Sequence, residues 1–197
     1  MSRLVLASSS RYRRQLLDRL DLSYQWAAPD IDEARRADEN AVTLAHRLAL
    51  SKAQAIAADY PDHLIIGSDQ LALFEGDMLG KPGDFDTACA NLRRFSGHQV
   101  SFMTGLALID TGAGRHRVVH DTYHVWFRDL SDEEIESYVS RDQPYDSSGS
   151  FRMEGLGIAL FERFEGNDPN TLIGLPLIKL CELLREAGLN PLAGQGN

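Results

Sequence analysis

Between Leu4 and Leu20 the chain changes period, and that change constrains the architecture more than any other stretch. An apolar run, Leu4-Val5-Leu6-Ala7, gives way to Ser8-Ser9-Ser10, then to Arg11-Tyr12-Arg13-Arg14, then to the helical pattern of Leu16, Leu17 and Leu20. The order is strand, hydroxyl-rich turn, helix, which starts an α/β fold. The arginines stand where the helix dipole favours negative charge, so they work against the helix. An anion seated on the turn resolves that conflict, because backbone N–H groups, serine hydroxyls and guanidinium forks together suit a polyphosphate. The alternative is a solvated helix face, the usual fate of a charge run.

Charge bears on the choice. The formal net charge is -9, yet Arg3, Arg11, Arg13 and Arg14 stand in an opening stretch that holds no acid. An acidic body with one basic site lacks the broad basic face of a duplex nucleic-acid binder and fits a small anion held in a cleft. At 197 residues, 43% hydrophobic and 25% charged, the composition is that of a globular domain with a sizeable core. Its longest apolar runs fall far short of a membrane span, and Leu4–Ala7 is too short for the core of a signal peptide. Cys89 and Cys181 are far apart and form no CxxC motif, so they read as free thiols in a reducing, cytoplasmic compartment.

Further along, Ser23–Ala28 reads as a strand, and Asn40–Tyr60 as the clearest helix, with Ala41, Leu44, Ala45, Leu48, Ala49, Ala55 and Ile56 on one stripe. Leu64–Ile66 and Gln70–Phe74 are strand-like, with Glu75-Gly76-Asp77 turning after them. Asp84–Phe95 is helical, and Val100–Ile109 and Arg117–Arg128 form a hairpin. Ser131-Asp132-Glu133-Glu134 is a capping box for a helix to about Arg141. Ser150–Glu154 and Ile158–Phe164 read as short strands, Asp168-Pro169 as the cap of a single turn, and Pro176–Ala187 as the last helix, closed by Gly188. The expectation is one α/β domain over residues 1–193, a mixed, twisted sheet flanked by helices with a central cleft, and a disordered tail at 194–197.

Lys52 falls at the centre of the apolar stripe, not at the edge from which a lysine can snorkel. It therefore meets either an anion in a cleft or a buried Asp or Glu. Asp69 interrupts the apolar run from Leu64 to Phe74, and a carboxylate there must meet a cation, a metal or water. Facing a phosphate site it would hold Mg²⁺, with Glu33 of Ile31-Asp32-Glu33 as a second ligand or plain surface. Gly76-Asp-Met-Leu-Gly80-Lys81 is one residue short of a Walker loop, and Pro82 replaces its Ser or Thr. The six histidines do not pair at zinc spacing, there is no G-x-S-x-G elbow, and Gly155-Leu-Gly157 is no dinucleotide fingerprint.

Leu6-Ala7-Ser8-Ser9-Ser10-Arg11-Tyr12-Arg13-Arg14, Asp32-Glu33, Lys52-Ala53, Gly67-Ser68-Asp69, Gly80-Lys81-Pro82 and Gly174-Leu175-Pro176-Leu177, in that order, resemble the motifs of the Maf family. The resemblance extends from Leu4 to Leu192 and implies a Maf/ITPase-like fold. It also implies a nucleoside triphosphate pyrophosphatase that cleaves between the α and β phosphates with Mg²⁺ or Mn²⁺. By position it makes Asp69 the catalytic proton acceptor, and Ser8, Ser10, Arg13, Arg14, Lys52 and Lys81 the phosphate-binding set. Glu33 becomes the metal-side carboxylate, and on the residues alone Asp69 either holds the metal or takes the proton of the attacking water. Arg11 and Tyr12 depart from the family's frequent proline and arginine. Within the family the chain is most similar to the 7-methyl-GTP pyrophosphatases, whose specificity positions fall on Tyr12, Gln70 and Glu154. Tyr12 suits a cationic methylated guanine by stacking, and Glu154 its N1 and N2 donors. The alternatives are a dTTP/UTP pyrophosphatase of the same family and a non-catalytic nucleotide-binding regulator. The implied partners are a nucleotide and a second copy of the chain, with neither a duplex nor a membrane.

Overall fold

A computed structural model describes residues 3–193; the expectation for 194–197 lies outside the described residues. The described residues form a mixed sheet of seven strands with five α-helices. The strands are β1 (Leu4–Ala7), β2 (Gln25–Ala27), β3 (Leu64–Phe74), β4 (Asp77–Leu79), β5 (Gln99–Asp110), β6 (Arg115–Phe127) and β7 (Phe161–Gly166). The helices are α1 (Arg11–Asp18), α2 (Ala41–Ala55), α3 (Phe85–Phe95), α4 (Asp132–Asp142) and α5 (Leu177–Glu186). Strand neighbours run β2-β1-β3-β5-β6-β7, with β4 on β3. β1 pairs in parallel with β2 and β3, whereas β4 and β7 pair antiparallel with β3 and β6.

The chain divides into two compact units, and β3, β5 and β6 contribute residues to both. Of the described residues, the first unit holds 3–69, 104–121 and 168–193. β1 and the opening of β3 are apolar on both faces, as parallel strands between helices must be. Leu4, Leu6, Leu64 and Ile66 pack with Leu16 and Leu17 of α1 and Leu180, Leu183 and Leu184 of α5. Val5, Ala7 and Ile65 face the other way, onto Ala53 and Ile56 of α2. Helix α2 lies hard against the sheet: a Cβ at Gly67 would stand 2.0 Å from the Ala49 carbonyl oxygen, and one at Gly105 2.3 Å from that of Ala45.

Local chemistry starts the helices where the hydroxyl and carboxamide signals stand. Ser10 caps α1, Asn40 α2, Asp84 α3 and Ser131 α4, the last with the full capping box. Ahead of α2, Glu39 accepts from the Arg47 guanidinium and the Arg36 amide, and the Arg47 bond above all holds its carboxyl down at about 2, against an ordinary 4.5. A depressed carboxyl stabilises the fold above its unfolded pKa, and that contribution disappears as pH falls through the folded one. Wild type and Glu39→Gln should therefore differ in urea midpoint at pH 7 and converge as pH drops from 4.5 to about 2. Parallel midpoints across that window would refute the pairing.

The second unit, Gln70–Met103 with Thr122–Asn167, is built on phenylalanine. Phe127 and Phe151 each meet Phe161, at ring-centroid distances of 4.8 and 4.7 Å, and Phe74 meets Phe95 at 5.1 Å. The β3–β4 hairpin closes on Glu75 and Gly76, both left-handed (φ 51° and 91°), the geometry of a tight two-residue turn. Two expectations fail in this unit. Ser150–Glu154 is not a strand, because Gly149 and Ser150 are left-handed (φ 88° and 61°) and fold the chain back on itself. Nor is Ile158–Phe164 a strand throughout: Leu156–Leu160 is a 3-10 turn, and β7 begins only at Phe161.

Candidate active site

The opening turn leads from the C-terminal end of β1 into α1. Ser8 is buried, and its hydroxyl accepts from the Ser10 amide at 3.1 Å. The Ser10 hydroxyl accepts from the Arg13 amide, so both serines shape the helix start as well as lining it. Arg13 donates through Nε to the Gly174 carbonyl at 2.8 Å. Burial lowers its guanidinium pKa, while the negative charges of Asp69 and Glu33 act in the opposite direction. Arg14 donates to the Ser9 carbonyl at 3.1 Å, with its guanidinium over the Trp26 ring.

Lys52 confirms its position on the stripe: it is buried on α2, and its ammonium lies 2.5 Å from Asp69 Oδ1 and 2.7 Å from Glu33 Oε1. Of the two readings open for this lysine, the structure supplies the buried ion pair. The Asp69 side chain is 11% exposed and that of Glu33 57%, so the cluster has one sheltered and one open carboxylate. Asp69 sits within β3, a single strand across both apolar segments. Next to it, the fully buried Ser68 hydroxyl lies 2.9 Å from the Gly105 carbonyl and 2.8 Å from that of Gly174. Gly174 O thus receives both Ser68 and Arg13. The residue is itself left-handed (φ 107°), and a Cβ there would come within 3.2 Å of Arg13 Nε.

Ser8, Ser10, Tyr12, Arg13, Arg14, Glu33, Lys52 and Asp69 all belong to the first unit; Gln70, Lys81 and Glu154 belong to the second. Tyr12 has the Arg11 guanidinium 4.7 Å above its ring and bonded to its hydroxyl. In the second unit Lys81 is exposed, and its charge helps lower the carboxyl of Asp146, chiefly depressed by a hydrogen bond from Arg152. Arg152 also donates to the Asp142 carbonyl, and its amide donates to the Tyr138 hydroxyl. These bonds clamp the turn that presents the exposed Glu154. Sequence reasoning passed over Arg152, Ser68 and Trp26. For Arg152 the available signal was an arginine two residues before Glu154, and for Ser68 its place in the Gly67-Ser68-Asp69 motif; Trp26 gave none.

Strand, serine turn and arginine-bearing helix share one α/β unit with a lysine-bridged pair of carboxylates. The fold is similar to a HAM1 protein from Coxiella burnetii, with a TM-score of 0.50 over 94% of this chain and 100% of that one, at 16% identity. A family model described as Maf-like protein matches residues 3–187. Two curated relatives are named 7-methyl-GTP pyrophosphatase. That of Chromohalobacter salexigens is 69% identical, covering 98% of this chain and all of its own. That of Alcanivorax borkumensis is 54% identical, covering 94% of each. The chain belongs to the Maf-like family.

Proposed function

We propose that this protein hydrolyses 7-methyl-GTP, breaking the bond between the α and β phosphates to give 7-methyl-GMP and pyrophosphate. The observation that carries the reading is the 69% identity, across the whole of its length, to a relative bearing that name. The Lys52–Asp69–Glu33 cluster, close enough for its carboxylates to act on Arg13, supports it physically. Asp69 accepts the proton of the attacking water, and Lys52 orients its carboxylate for that task. Arg13, Arg14 and Lys81 neutralise the charge that develops on the departing pyrophosphate, while the Ser8 and Ser10 hydroxyls bond its oxygens.

The donor set fits a divalent metal. Glu33 and Asp69 already direct oxygens at one cation, the Lys52 ammonium, and Mg²⁺ commonly takes one or two carboxylates with the rest of its shell from phosphates and water. Among the described residues no group of three or more His, Cys, Asp or Glu is arranged for a metal. Glu33 and Asp69 would hold Mg²⁺ or Mn²⁺, which would supply charge neutralisation at the phosphates.

Tyr12, Gln70 and Glu154 set base preference in this reading. The Tyr12 ring already carries a cation, Arg11, on its face, as it would carry a methylated guanine. A panel of 7-methyl-GTP, GTP, dTTP and UTP tests the assignment: kcat/KM should be highest for 7-methyl-GTP, with pyrophosphate and not orthophosphate released. Glu154→Gln should narrow the margin over GTP by about tenfold, the worth of one charge-assisted pair. A preference for dTTP or UTP would overturn the base assignment, and binding without pyrophosphate release would favour the regulator. None of the described helices is long and apolar enough to cross a membrane. The free thiols of Cys89 and Cys181 support a cytoplasmic setting, and a homodimer completes the reading on family resemblance alone.

A further inference from the structure

Trp26 is a large apolar side chain left 51% exposed on β2, a strand of only three residues at the edge of the sheet. An indole that open has little to do with core packing. Its register explains where it stands: Trp26 pairs with Leu6, so it flanks β1 just before that strand enters the serine turn. The Arg14 guanidinium lies over its ring, Cζ 4.3 Å from the centroid, and Arg14 Nη1 donates to the Ser9 carbonyl at 3.1 Å.

We propose that Trp26 is a positioning residue that holds the Arg14 guanidinium in its phosphate-binding orientation by stacking beneath it. The proposal rests on the reading of Arg14 as a phosphate ligand. A guanidinium stacked on an aromatic face keeps its N–H donors in its own plane, pointing outward past the ring edge, where they remain available for a planar fork to phosphate oxygens. The Ser9 carbonyl takes one of those donors and fixes rotation about the stacking axis. An arginine otherwise gives up considerable rotamer freedom on binding; one already confined by ring and carbonyl gives up less, so the benefit appears in affinity.

The test is a double-mutant cycle of Trp26→Ala and Arg14→Ala, with Trp26→Phe as the conservative variant. Trp26→Ala should raise KM for 7-methyl-GTP by about three- to tenfold and leave kcat within about twofold, the scale of a partly exposed cation–π contact. Trp26→Phe should restore at least about half of the lost affinity. In the Arg14→Ala background Trp26→Ala should change nothing further. An unchanged KM in Trp26→Ala, or the same rise in the Arg14→Ala background, overturns the proposal. If wild type leaves 7-methyl-GTP intact, the substrate reading falls separately. The same cycle is then read by calorimetry with inorganic pyrophosphate: coupling between the two positions supports the stacking role, and additivity or absence of binding overturns it.

Discussion

Asp69→Asn is expected to lower kcat for 7-methyl-GTP by about a hundredfold to ten-thousandfold, the range over which a positioned general base acts, while the protein stays folded. The geometry explains why the two effects separate. Asparagine keeps the shape and an oxygen for the Lys52 ammonium, and Glu33 remains on that ammonium as counter-charge. The buried cation is therefore not stranded, which would otherwise cost about 3–5 kcal/mol. Activity is lost because an amide cannot accept the proton of water or supply an anionic oxygen to a metal. Circular dichroism and a urea melt measure the fold, and pyrophosphate release measures turnover. Retention of more than a few per cent of wild-type rate in Asp69→Asn sinks the assignment of Asp69.

Gly67→Ala should be the most damaging single methyl group in the first unit, with a loss of about 3 kcal/mol or more in unfolding free energy. The added Cβ would lie 2.0 Å from the Ala49 carbonyl oxygen, 2.9 Å from the Ala53 amide nitrogen and 3.0 Å from the Ala53 Cβ. Two of these neighbours are backbone of α2, so no side-chain rotation relieves the clash, and the helix must move off the sheet. That movement also reaches the chemistry. Lys52 precedes Ala53 on the displaced helix, and Asp69 lies two residues beyond Gly67 on β3, so their 2.5 Å contact must open. Activity measured well below the unfolding midpoint should fall even in molecules that remain folded. A urea midpoint shift equivalent to less than about 1 kcal/mol would show that α2 is seated more loosely than described.

What could be read in advance followed the range of the interactions. Helix starts are local, since a Ser, Asn or Asp accepts from an amide three residues on, and Ser10, Asn40, Asp84 and Ser131 all do so. Lys52 and Asp69 stood out for a related reason: a charge inside an apolar period is anomalous on its own element, whatever it meets. Its partner was another matter, because Lys52 alone could not distinguish a bound anion from a carboxylate of its own chain. The stretch 150–160 misled because aromatic and branched residues near Phe151 and Ile158 suggest strands, while the left-handed Gly149 and Ser150 break the run. No linker separates the two units, so their boundary leaves no mark in the sequence; β3, β5 and β6 simply continue from one into the other. Ser68 stood in the Gly67-Ser68-Asp69 motif, but its bonds to the carbonyls of Gly105 and Gly174 are long-range and left no mark in sequence.

The bond from Arg13 to the Gly174 carbonyl has a consequence for the nascent chain. Its partners lie 161 residues apart. A ribosome adding about 5–20 residues per second needs on the order of ten to thirty seconds to make the second after the first. During that interval the opening arginines have neither the carbonyl that orients Arg13 nor α5 packed beneath β1. Chains released before Gly174 will therefore carry the serine turn and the Lys52, Asp69 and Glu33 cluster and still lack the carbonyl that receives Arg13 and Ser68. The opening turn takes its final form late in synthesis, when the last part of the chain folds back onto the first.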